Sequence, residues 1–223
     1  MSHVTFHVNG NNIPLKGFIF DFDGVVVDTE TYHYRSWLGA AEESGCYLDP
    51  VEYLPLKSTG NTLIARYILE HSGKEITEEA IKTICTAKER IFRQIVAELS
   101  EKDILPGIPE FLGFLKDRGV KLAVASSSHA SGELASRFGL DKFFHVLIDG
   151  KTPLPRKPQP DTFLLAAEKL QVDPADCIVF EDSLAGIGGA VNAKMPVVAI
   201  GGIQSADAIL HLKDFAEFGK YFY

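Results

Sequence analysis

From residue 105 onward the chain alternates between two hydrophobic rhythms, and that alternation restricts its fold more than any other feature. Short apolar runs of strand length occur at "VKLAVAS" (120–126), "HVLI" (145–148), "CIVFE" (177–181) and "PVVAI" (196–200). Segments with helical spacing lie between and around them, at 108–118, 130–138, 161–170 and 184–193. Strands separated by helices pair in parallel through right-handed crossovers. An earlier run, "GFIFDF" at 17–22, reads as one more strand, apolar on both faces like a buried member of a parallel sheet. Val4, Phe6 and Val8 alternate with polar residues and "NGNN" supplies a turn, so 4–15 reads as a small hairpin. Between 29 and 104 only helical patterns appear. One runs from Thr29 to a stop at Gly45, one ends at Gly73, and one starts after a Thr77 cap. The fold class expected is α/β: a Rossmann-like parallel sheet core, residues 1–29 and 101–223, with an inserted α-helical cap domain at 30–100.

Composition narrows the function. The chain has 223 residues, 46% of them hydrophobic, which is enough for one large domain or one domain with an insertion. Its formal net charge of -8 argues against nucleic acid or an anionic membrane as the main partner. The longest apolar runs are too short to span a bilayer. The N-terminus "MSHVTFHVNG" lacks the basic and apolar regions of a signal peptide. Cys46, Cys85 and Cys177 form no CxxC pair and read as reduced thiols of a cytoplasmic protein. A monomer is expected.

In an open parallel sheet, ligands bind beyond the carboxyl ends of the strands. Asp21 ends the first strand, with Asp23 two residues on; Ser126 ends the next, and Glu181 and Asp182 end a later one. The loop bearing Lys157 follows a fourth. Alone, "DFDG" reads as a tight turn and "VFEDS" as a strand end plus a helix cap. A calcium loop fails, because its third ligand position falls on Val25. Together, the four clusters should converge on one edge. Period-two spacing puts Asp21 and Asp23 on one side if strand geometry persists. So many carboxylates call for a hard divalent cation, and magnesium keeps coordination positions open for a phosphate. Lys157 adds a compensating charge. Ser126, Ser127 and free N–H groups at the start of helix 130–138 offer an anion cradle. Such a set describes a phosphoryl site.

The sequence resembles the haloacid dehalogenase-like superfamily, in the branch whose helical cap follows the first strand. Four motifs carry the likeness over about 17–201: "DFDGVVVDT" (21–29), "VASSS" (124–128), "RKPQPDTF" (156–163) and "VFEDSLAGI" (179–187). The resemblance implies Asp21 as the nucleophile that takes the phosphoryl group and Asp23 as the general acid and base. It implies a Mg2+ held by Asp21, Asp23 through its main-chain carbonyl, Asp182 and Glu181, the last directly or through water. Ser126 and Lys157 would bind the phosphoryl oxygens. True dehalogenases lack the second aspartate, so Asp23 points to phosphoryl transfer.

Within that superfamily the chain most resembles the β-phosphoglucomutases and the sugar-phosphate phosphatases related to them. Thr29, His33 and Trp37 in "DTETYHYRSW" match the mutase pattern, and Lys88 falls at its cap lysine. Taken alone, Lys88 reads as a solvated helix charge. Gly24, Thr29, His33, Lys57, Lys88 and Ser127 are therefore expected to contact substrate. The mutases also carry a cap-loop arginine that grips a distal phosphate. Here that loop is "LKSTGNTLI" (56–64), with Asn61 about where the arginine would stand. His129 replaces a lysine of the mutase pattern. The expected function is a Mg-dependent phosphatase of a small sugar or polyol phosphate. The alternatives are a β-phosphoglucomutase and a non-catalytic binding protein on the same fold.

Overall fold

Val4, Phe6 and Val8 are buried along β1 (Val4–Val8), which pairs antiparallel with β2 (Asn11–Leu15) across an Asn9-Gly10 turn. The C-terminus adds to this hairpin: the main chains of Thr5 and Tyr223 exchange hydrogen bonds of 2.9 and 3.1 Å, and Phe222 stacks on Phe6 with ring centroids 4.7 Å apart. The structure, a computed structural model, describes residues 3–53, 56 and 60–223. It separates into two units, residues 1–28 with 100–223, and residues 29–99.

The first unit holds a parallel sheet. After β3 (Gly17–Phe20) the chain leaves for α1 (Glu30–Glu43), α2 (Pro50–Tyr53), α3 (Asn61–His71) and α4 (Glu78–Ile95). It returns through α5 (Ile108–Asp117), β4 (Lys121–Ala125), α6 (Ser131–Arg137), β5 (Val146–Ile148) and α7 (Asp161–Leu170). Next come β6 (Cys177–Glu181), α8 (Leu184–Asn192), β7 (Val197–Ile200) and β8 (Leu210–Leu212). The six strands run parallel in the order β5-β4-β3-β6-β7-β8, so β3 lies between β4 and β6. Every residue of β3 is buried, which is why its sequence does not alternate.

The two faces of the sheet are filled differently. Phe18 and Phe20 meet Phe111 of α5, Phe180 and Phe215, with the Phe20 and Phe180 rings stacked at 4.8 Å. Ile19 and Val179 face the other way, into a core with Phe163 and Ala166 of α7 and Ala190 of α8. Each such side chain contributes about 1.5–3 kcal/mol by leaving water. These two cores fix where the carboxyl ends of the strands fall.

Two boundaries depart from expectation. β3 stops at Phe20, two residues early, because the Phe22 carbonyl turns to accept from the N–H groups of Val25, Val26 and Val27. β8 was not anticipated, since "LHL" is too short to show a rhythm, and its ladder with β7 defines it. The second unit packs Trp37, Ala40 and Ala41 of α1 with Ile64, Ala65 and Ile68 of α3 and Ile81 and Ile84 of α4. Thr77 caps α4, its hydroxyl accepting from Ala80 N at 3.1 Å. Among the described residues no helix is long and apolar enough to cross a membrane.

Candidate active site

Three strand ends and one loop bring their polar groups together at the carboxyl edge of the sheet. Asp21 follows β3, with its N–H making the last ladder bond to Phe180 O at 3.0 Å. Glu181 ends β6 and Asp182 follows it. Asp21, Glu181 and Asp182 are all buried, and each offers an oxygen within 4.8 Å of the others. Lys157 enters from the loop between β5 and α7. Its Nζ donates to Asp21 Oδ1 at 2.5 Å, to Ala125 O at 3.1 Å and to Glu181 Oε1.

Burial and charge act together on this cluster. Burial pushes the Asp21 carboxyl well above the usual carboxylate range; Lys157 opposes this, while Glu181, Asp182 and Asp23 reinforce it. For Lys157 burial favours the neutral amine, but Asp21 and Glu181 outweigh it and hold the ammonium form. Three buried carboxylates gather here, and the Lys157 ammonium bonds two of them, Asp21 and Glu181. Three converging carboxylate oxygens suit a hard divalent cation, so the donor set fits the metal that the family implies.

Local structure explains how the acids stay in place. Glu181 Oε2 accepts from the N–H groups of Asp182 and Ser183 at 3.1 and 3.2 Å and from Ser183 Oγ at 3.0 Å. Ser183 Oγ in turn accepts from Gly186 N at 3.0 Å and caps α8. A Cβ on Gly186 would stand 1.9 Å from the Glu181 carboxyl carbon. Gly24 combines a left-handed φ of 76° with an approach that would set its Cβ 2.1 Å from Asp182 Oδ2.

Asp23 takes a separate position. Because strand geometry ends at Phe20, its side chain does not join the three-carboxylate cluster; Ser126 Oγ donates to Asp23 Oδ2 at 3.4 Å. Ser126 Oγ also accepts from Ser128 N at 3.0 Å, and Ser128 Oγ from Ala130 N at 3.3 Å. Two N–H groups expected to cradle an anion are therefore engaged by serine hydroxyls. Ser127 is exposed on the same loop.

Other expected contacts belong to the helical unit. Thr29 is buried at the start of α1. His33 stacks on Phe92 with ring centroids 4.2 Å apart, and Lys88 Nζ lies 4.7 Å from the centre of the same ring. Lys88 is 3% exposed and pairs with Glu89 Oε1 at 3.2 Å, so the reading as a solvated charge is wrong. Apolar stem and ring contacts hold it inside α4. Asn61 Nδ2 donates to that same Glu89 oxygen at 2.9 Å. Lys57 lies outside the described residues. Sequence reasoning missed the role of Gly186, whose only signal was a small residue in the first turn of a helix after an acidic pair.

Fold and site together define an enzyme of the α/β hydrolytic and phosphoryl-transfer type, with an inserted helical segment. The family described as haloacid dehalogenase-like hydrolase matches residues 15–194, and the chain belongs to it. It is 35% identical over 189 residues to a β-phosphoglucomutase of Bacillus subtilis, covering 84% of each chain. It is 32% identical to a phosphorylated carbohydrates phosphatase of Thermotoga maritima, covering 80% of this chain and 82% of that one. Among solved structures it superposes on a β-phosphoglucomutase from Clostridium difficile with a TM-score of 0.81 and 30% identity, over 91% of this chain and 92% of that one. The chain is a phosphoryl-transfer enzyme, which removes the non-catalytic reading.

Proposed function

We propose that this enzyme is a phosphatase of small sugar or polyol phosphates that works through an aspartyl-phosphate on Asp21. The buried cluster of Asp21, Lys157, Glu181 and Asp182 carries the proposal. Asp21, Glu181 and Asp182, with the Asp23 main-chain carbonyl, would hold Mg2+, whose charge shields the phosphoryl oxygens from the surrounding acids. A carboxylate oxygen of Asp21 forms a bond to phosphorus as the bond to the sugar oxygen breaks. The Asp23 carboxyl gives its proton to that departing oxygen. Asp23 then takes a proton from water, whose oxygen attacks phosphorus and frees Asp21 and inorganic phosphate. Lys157 and Ser126 contact the transferring group. The carbohydrate named for the Thermotoga relative supports sugar phosphates as the substrate class.

The second reading is a β-phosphoglucomutase, where a second sugar hydroxyl replaces water. It is favoured by His33 and Lys88 gathered on Phe92, at positions of the mutase pattern. Against it, Asn61 stands near the place of the mutase arginine, and its amide is engaged with Glu89. Losing a charge-assisted contact of roughly 1.5–3 kcal/mol weakens the hold on a bisphosphate about ten- to a hundredfold. The deciding experiment supplies β-glucose 1-phosphate with catalytic β-glucose 1,6-bisphosphate and Mg2+, beside a panel of sugar phosphates. Phosphate release faster than glucose 6-phosphate formation, on this or another sugar phosphate, supports the phosphatase. Efficient conversion to glucose 6-phosphate with little free phosphate overturns it.

A further inference from the structure

A cavity of about 130 Å³ lies in the α/β unit between the loop after β4 and the loop after β5. Ser126 and Ser127 line it from the loop after β4, and Ser126 donates to Asp23. The β5–α7 loop lines it with Asp149, Thr152, Leu154 and the exposed Arg156. The next residue along that loop is Lys157, which bonds Asp21. The cavity thus borders the phosphoryl site through Ser126, and its lining residue Arg156 directly precedes Lys157 in the chain.

We infer that this cavity is the subsite for the hydroxylated carbon chain of the phosphorylated substrate, with Asp149 as the specificity-determining residue. Its lining has the composition that binds a polyol. A carboxylate accepts, a guanidinium donates, and the Ser127 and Thr152 hydroxyls do both. Leu154 offers an apolar surface to C–H faces. The mixed signs disfavour a second phosphate, which would meet the Asp149 carboxylate. The size matters too: a cavity near 150 Å³ holds a six-carbon ring such as benzene, so 130 Å³ takes a short carbon chain or most of one sugar.

Asp149 is held in position by its own loop. Its Oδ1 accepts from Lys151 N at 3.0 Å, Thr152 N donates to Asp149 O at 3.0 Å, and Gly150 N reaches across to Ser128 O at 2.9 Å. That last bond ties the two loops together. Asp149 Oδ2 also lies 3.7 Å from the exposed Lys151 Nζ; Asn at 149 gives up the charge and that long surface ion pair but keeps the oxygen that accepts from Lys151 N, so the main-chain bonds that shape the loop are retained.

The inference rests on the sugar-phosphate reading, and binding separates the two. Calorimetry on Asp21→Asn, with Mg2+ present, compares inorganic phosphate with hexose, tetrose and glycerol monophosphates. At least one carbohydrate phosphate should bind more tightly than inorganic phosphate. Adding Asp149→Asn, or Thr152→Val, should cut that ratio about tenfold or more, since a hydrogen bond to a charged partner carries that discrimination. Equal loss for phosphate and sugar phosphate would mean a merely structural role and would overturn the inference. So would a ratio that neither variant changes, or no preference in the first place. If wild type releases no phosphate yet the ratio falls as described, the subsite stands and the phosphatase reading fails.

Discussion

Lys157 Nζ sits 2.5 Å from Asp21 Oδ1, joining residues 136 apart in sequence inside a site where both are nearly water-free. The same ammonium contacts Glu181, so one cation serves two buried acids. Removing one partner of a buried ion pair leaves an uncompensated charge and costs about 3–5 kcal/mol. Lys157→Met should therefore lower the melting temperature in chelator, and cut turnover by about a hundredfold or more because a fixed charge at the transferring group is lost. Calorimetry and phosphate-release assays read the two effects. Turnover within about tenfold of wild type would remove Lys157 from the mechanism.

Gly24 and Gly186 are predicted to fail as alanine for a shared reason. Each added methyl would overlap a carboxylate of the cluster, at Asp182 or Glu181. Gly24→Ala also meets a left-handed φ that costs roughly 1–2 kcal/mol. Both variants should need more Mg2+ for half-maximal activity. A metal titration that superposes on wild type would show that neither glycine shapes the acid positions.

Metal removal should abolish activity, and Mg2+ should restore it. Calcium should inhibit, because its larger and looser shell misplaces the acids around phosphorus. Asp182→Ala should raise the Mg2+ requirement sharply or silence the enzyme. Full phosphate release in excess chelator would refute the metal assignment.

Cys177 lies buried at the start of β6, and burial, then Asp176 and Asp173, push its thiol up to about 12. The thiolate is the reactive form, so below that value alkylation should rise about tenfold per pH unit. At pH 8 iodoacetamide should modify the partly exposed Cys46 and Cys85 and spare Cys177, as peptide mass mapping would show. Prompt modification of Cys177 would mean that β6 opens readily.

The sheet was legible because β3, β4, β6 and β7 are strand-length apolar runs bounded by turns. β8 escaped because its pairing with β7, a non-local contact, defines it. Asp21, Ser126, Lys157 and the Glu181–Asp182 pair were legible as four sequence clusters, at three strand ends and on one loop. Their contacts were not: where strand geometry ends after Phe20 decides that Asp21 meets Lys157 while Asp23 meets Ser126. Nor could the burial of Lys88 be read from α4, since a lysine between Ala87 and Glu89 looks the same wet or dry until Trp37 and Phe92 are placed beside it.

The central claim is that Asp21 carries the phosphoryl group. The direct measurement is acid-quenched mass spectrometry of the enzyme during turnover of a sugar phosphate with Mg2+, followed by peptide mapping. One phosphoryl group should appear on the peptide containing Asp21, at a level that falls when substrate is exhausted, and Asp21→Asn should show neither the adduct nor turnover. Turnover with a phosphoryl group on another residue, or Asp21→Asn retaining activity within about tenfold of wild type, would contradict it.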